Sequence, residues 1–222
     1  MKNLAVCIVN LAVAANLFAA IGCSLNDPDR DIKKLFPDAT NYKTDFISIK
    51  DTGGQPLADE IQQKLGDKFE PVYETLDVPY AFYTVLKKDK LLGYVHGVNQ
   101  KGRFGGMQLV ITTDPNGVII DFYYQRLSSP EAKNFRDPAF TKQFIGLTLA
   151  DFYWHKPQDT IKDPTEKSNS DFKATLRGIF KNLILMDEFK MNKKFDSVYI
   201  EIKKQNDSNE VNKNEKKDPN TN

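Results

Sequence analysis

Cysteine and histidine are nearly missing from this sequence: its 222 residues hold two of each, Cys7, Cys23, His96 and His155. Cys7 sits inside an apolar leader and Cys23 at its end. A processed chain with lipid on Cys23 therefore keeps no thiol for a disulfide, a zinc–thiolate site or a nucleophile. Two isolated imidazoles do not make a histidine-rich metal centre. An excess of one charge sign is missing too, with 31 basic against 30 acidic residues and a net charge of +1. No basic stripe interleaved with aromatics runs through the chain, which argues against nucleic acid as a partner. Neither a G-x-S-x-G elbow nor an H-E-x-x-H helix occurs, so hydrolysis has no support.

Long hydrophobic runs are confined to the start. Lys2 is the only early charge, residues 4–21 are apolar apart from Asn10 and Asn16, and Ala20-Ile21-Gly22 places small residues before Cys23. The pattern reads as a lipoprotein-type signal peptide over residues 1–22, with Cys23 as the lipidation site. Its thiol would take a diacylglycerol group, and two or three acyl chains give durable anchoring. An uncleaved membrane helix and ordinary cleavage after Gly22 are the alternatives. The expected location is the cell envelope, extracytoplasmic and lipid-anchored, with the membrane, inner or outer, left open.

Beyond the leader, residues 23–31 read as a tether, 32–202 as one domain and 203–222 as a polar tail expected to be disordered. The fold class expected for the domain is α+β, an antiparallel sheet packed with several helices. Residues 58–65 carry a helical pattern closed by Gly66. Strands are expected over 72–76, 81–87, 91–98, 107–113 and 118–124, and helices over 138–144 and 147–154. The longest helix, 171–189, places Phe172, Leu176, Ile179, Phe180, Leu183 and Ile184 on one stripe. Residues 195–202 fit a strand or a helix.

The most informative stretch is 93–146. Asp114-Pro115-Asn116-Gly117 has the chemistry of a type I turn between two strands. Gly102, Gly105 and Gly106 crowd the start of the first of them, where a missing Cβ permits close approach of backbone or ligand, or a bulge. Ser128-Ser129-Pro130-Glu131 follows, then Phe140-Thr141-Lys142-Gln143-Phe144-Ile145-Gly146. His96 reads as a half-buried or rim side chain. Lys101 and Arg103 could face a phosphate or simply be solvated.

In order, these motifs resemble the FMN-binding domain family, which includes flavin-bearing subunits of sodium-pumping quinone reductases and Rnf complexes and regulators of nitrous oxide respiration. The resemblance covers about half of the processed chain by motif order. It implies FMN as cofactor, with Gly102, Gly105 and Gly106 close to the flavin and Ser128, Ser129 and Glu131 in the loop beside its ring. In covalently flavinylated members a Ser-Gly-Ala-Thr sequence supplies the threonine esterified to the FMN phosphate. Here the matching place is Phe172-Lys173-Ala174-Thr175, so Thr175 aligns with the acceptor while the Ser-Gly pair is lost. Covalent attachment is therefore not expected, and Thr175 also reads as an exposed helical hydroxyl whose loss costs little stability. Two functions follow: an extracytoplasmic electron carrier with noncovalent FMN and redox partner proteins, or a flavin-free lipid-anchored binding or assembly module that keeps the fold. The flavin assignment expects the glycine corner and the serine–proline bend to fold against the amino end of the long helix and to wall a slot wide enough for a planar heterocycle.

Overall fold

The structure, a computed structural model, describes residues 23–66 and 76–215. The leader over 1–22 lies outside them, as does the strand expected over 72–76 except for Leu76, which sits in a turn. Among the described residues, no helix is long and apolar enough to cross a membrane.

Helix α1 (Pro28–Leu35) starts where Asp27 accepts from the Arg30 amide at 3.2 Å and Pro28 takes the first turn. Asp29 and Asp31 open it and Lys33 and Lys34 close it, complementing the helix dipole. Strand β1 (Asn41–Ile47), the single turn α2 (Ile49–Thr52) and α3 (Gly54–Leu65) follow. The expected Gly66 terminator is in place at φ 69°, its amide bonded to the Gln62 carbonyl, and the helix begins one turn earlier than its pattern suggests.

The centre of the molecule is a five-stranded sheet in the order β1-β2-β3-β4-β5, with β2 (Tyr80–Lys87), β3 (Lys90–Lys101), β4 (Gly106–Thr113) and β5 (Ile119–Leu127), every neighbouring pair antiparallel. The expected turn joins β4 to β5. The Gly117 amide reaches the Asp114 carbonyl at 3.1 Å, and Asp114 Oδ1 accepts from the Asn116 and Val118 amides. The mixed helical and antiparallel architecture is the fold class expected from the sequence.

On one face of the sheet lie Phe82, Val98, Leu109, Ile111, Phe122 and Tyr124, covered by α8 (Asn169–Lys190) and the short helices α4 (Ala132–Phe135), α5 (Pro138–Thr141) and α6 (Leu149–Tyr153). A 3₁₀ turn (Lys142–Phe144) extends α5, and α7 (Lys156–Thr160) follows α6. Phe122, Phe135, Phe140 and Phe144 hold this layer together through edge-to-face contacts such as Phe122–Phe144 at 5.1 Å and Phe140–Phe144 at 5.3 Å. Helix α8 packs tightly on the sheet at Gly178, where a Cβ would run into Leu109 and come within 3.2 Å of Gln100.

The opposite face carries Ala81, Tyr83, Val85, Val95 and Val110, and the amino-terminal segment covers it with Leu25, Ile32 and Phe36. The expected tether over 23–31 is therefore corrected: it is a docked strap. The Leu25 amide donates to the Tyr83 hydroxyl at 3.1 Å, and Gln125 holds both the Asn26 amide, at 3.1 Å, and the Ser24 carbonyl, at 2.8 Å. Burying the apolar outer sheet face is the physical reason. At the other end, residues 196–202 are helical and Phe195 closes the turn before them. Helix α9 (Asp196–Glu215) runs past residue 203 into the segment expected to be disordered, with Phe195, Val198, Tyr199 and Ile202 packed on the core at helical spacing.

Candidate functional site

Three pieces expected to converge do so. The connection from β3 to β4 closes on a bond from the Gly102 amide to the Gly105 carbonyl at 2.8 Å. The neighbouring Arg103 amide donates to Asp171 Oδ1 at 2.7 Å, which ties the corner to the first turn of α8. Gly105 has φ 139°, and a Cβ there would lie 2.9 Å from Ser128 Cβ. Gly102 is as tightly fitted, because a Cβ on it would come within 2.7 Å of Asp171 Oδ1. Gly106 sits in the ladder opposite Lys101.

The glycines make room for this chain's own side chains. Met107 and Asp171, both fully buried, fill the space beside Gly102, and Ser128 fills the space beside Gly105. The bend at 128–131 has internal uses as well. Ser129 Oγ accepts from the Glu131 amide at 3.4 Å, and the Ser129 carbonyl accepts from the Ala132 amide at 3.2 Å. The Glu131 carboxylate receives the Glu166 and Lys167 amides at 3.0 and 3.2 Å, latching the bend to the loop that leads into α8. The Ser168 hydroxyl, then these amides, hold the Glu131 carboxyl below its ordinary value.

Thr175 departs most from its expected setting. It is 0% exposed, not solvent-facing. Its hydroxyl shares a 2.8 Å hydrogen bond with the Tyr124 hydroxyl and donates to the Asp171 carbonyl at 2.9 Å. Three residues after Phe172 and four before Ile179, it lies on the stripe that faces the sheet. A hydroxyl so engaged and enclosed does not reach a transferase. The residues aligned with a covalent flavin site thus do not fit that group: the acceptor is sealed, and the corner is occupied by Met107, Asp171 and Ser128.

His96 is likewise corrected from rim to core. It is fully buried, stacked on Phe82 at 4.0 Å between ring centres, with Nδ1 3.0 Å from the Ala81 carbonyl. Burial pulls its pKa down to about 3, so the ring is neutral and works as an aromatic packing group. The Arg103 guanidinium lies over the Phe104 ring, 5.5 Å from its centre. Cys23, the expected lipid acceptor, is 2% exposed, its Sγ against Gly97. Among the described residues, no group of three or more His, Cys, Asp and Glu is placed to hold a metal ion.

One open feature escaped sequence reasoning. A cleft of about 350 Å³ runs along the free edge of β5 at residues 121–124, lined also by Asp31 and Lys34 of α1 and by Arg136 and Thr141. These residues come from three distant segments with no shared motif, so no sequence signal joins them.

No family model matches the chain, and no curated protein matches it. Among solved structures, the crystal structure of NqrC from Shewanella oneidensis is similar, with a TM-score of 0.47 and 14% sequence identity, over 81% of this chain and 90% of that one. The roles of individual residues are accordingly read from this chain's own geometry.

Proposed function

We propose that this chain is a lipid-anchored, extracytoplasmic binding module that keeps an FMN-binding-like scaffold without a flavin on Thr175. The burial of Thr175 between Tyr124 and the α8 backbone carries this reading. The filled glycine corner supports it, since the side chains that make a tight internal joint leave the planar ring no place there. Protein matured in its native envelope, with flavin transferases present, is expected to be colourless and to leave the fluorescence of added FMN unquenched. A yellow protein whose flavin survives acid precipitation and is lost in Thr175→Ala but kept in Thr175→Ser would overturn the reading.

Anchoring through Cys23 belongs to the same proposal. The strap holds residues 24–26 on the outer sheet face, so the domain would sit close against the bilayer. Acylation requires the Cys23 side chain to leave its seat against Gly97, a movement of one residue ahead of the pinned ones. Metabolic labelling with a fatty acid and partitioning into a detergent phase are both expected, and both should vanish in Cys23→Ala. An unlabelled wild-type protein found free of membranes would sink the anchor.

A further inference from the structure

We propose that the cleft at the β5 edge is a binding site for a small phosphate ester of a polyol. This rests on reading the chain as a binding module. The argument begins with the charges that converge on the cleft. Asp31 is already engaged by Arg30, whose Nη2 lies 3.1 Å from Oδ1, and Asp121 Oδ1 accepts from the Phe122 amide at 2.8 Å. Lys34 and Arg136 line the same cleft from segments about a hundred residues apart in sequence, and neither has an ion-pair partner among the described residues. With Asp31 paired, Lys34 and Arg136 stand against the single carboxylate of Asp121, an excess of one positive charge that comes from two cations on separate layers of the fold.

A phosphate monoester carries close to two negative charges at neutral pH, with three acceptor oxygens. It matches an ammonium and a guanidinium fork lining one cleft, and the Thr141 hydroxyl supplies another donor. The remaining carboxylate oxygens of Asp31 and Asp121 are acceptors, suited to the hydroxyls of a polyol and not to an apolar body. Tyr123 lines the same cleft, and its hydroxyl is buried with no partner among the described residues. About 350 Å³ holds a ligand of a few carbons with its phosphate.

The same chemistry occurs in a soluble ester and in a phospholipid headgroup, and the test has an arm for each. The purified full chain is titrated calorimetrically with glycerol 3-phosphate, with glycerol and with inorganic phosphate, and separately sedimented with phosphatidylglycerol vesicles after Cys23→Ala removes any anchor. Saturable binding of glycerol 3-phosphate is expected, absent for glycerol and weaker for inorganic phosphate. Lys34→Ala and Arg136→Ala should each weaken it about tenfold, whereas Lys142→Ala, a neighbouring cation outside the cleft, should not change it. Vesicle binding that depends on Lys34 and Arg136 would assign the same site to a headgroup. No saturation in either arm, or binding indifferent to Lys34 and Arg136, overturns the proposal. FMN uptake at the glycine corner would overturn only the flavin-free reading, so the two failures are distinguishable.

Discussion

Replacing Thr175 by valine is expected to destabilise the domain by about 1–3 kcal/mol, because it strands a buried hydroxyl on Tyr124. Tyr124 is 5% exposed, and its hydroxyl has the Thr175 oxygen at 2.8 Å as partner. Valine keeps the shape and β-branching of threonine, so helix propensity changes little and the effect reports the hydrogen bond. Tyr124→Phe should cost less, about 1 kcal/mol, since Thr175 retains the Asp171 carbonyl at 2.9 Å. The double variant should be more stable than the two single losses predict, by about 1 kcal/mol, because the Tyr124 hydroxyl that Thr175→Val strands is gone. Urea unfolding of the four proteins measures this directly. A Thr175→Val protein as stable as wild type would place the hydroxyl in solvent and reopen the acceptor role.

Asp187→Asn should stabilise the protein, and only above a defined pH. Asp187 lies in the last turn of α8, where a negative charge opposes the helix dipole, and is 2% exposed. Oδ2 accepts from the Phe195 amide at 3.3 Å, while Oδ1 has no partner among the described residues. Burial raises its pKa from 3.8 to about 6. The Asp196 carboxylate pushes the same way, against the Phe195 and Lys194 amides and the Lys64 ammonium. Between those two pH values the folded chain holds the proton more often than the unfolded chain, so the contribution of this group to stability falls as pH rises through that window. Above about pH 7 the ionised carboxylate costs up to about 3 kcal/mol, at 1.36 kcal/mol per pKa unit. Asparagine keeps an oxygen for the Phe195 amide and removes the charge, so a gain of about 1–3 kcal/mol is expected at pH 7.5 and none near pH 4. Equal gains at both pH values, or a loss at pH 7.5, would show that the buried charge is not the cause.

Much of the scaffold was legible because it follows from local rules. The Asp114-Pro115-Asn116-Gly117 turn, the Gly66 terminator and the apolar stripe of α8 each depend on residues within one or two turns of chain. The meeting of the glycine corner with the serine bend and α8 was foreseen from motif order and is seen in the bonds at Gly102, Arg103 and Gly105, whereas the slot expected between them is filled by Met107, Asp171 and Ser128. The strap was misjudged as a tether because polar residues such as Asn26, Asp27 and Asp29 dominate it. Its fate is decided by Leu25 and Ile32, whose target, the outer sheet face, forms only once β2 to β5 have paired. Helix α9 likewise needed the core surface that accepts Val198, Tyr199 and Ile202.

By itself, the sequence determined the strand and helix pattern, the turn chemistry and the place where three segments must meet, since backbone preference and side-chain periodicity act at short range. Only the tertiary structure decided what occupies that meeting place and that Lys34 and Arg136 line one cleft. The same threonine is an accessible nucleophile or a sealed core hydroxyl according to whether Tyr124 lies above it, and the same lysine and arginine are solvated ends or the lining of one cleft according to how α1 and the α4–α5 segment flank β5. Burial and charge pairing are properties of groups brought together across the chain, and no local pattern encodes them.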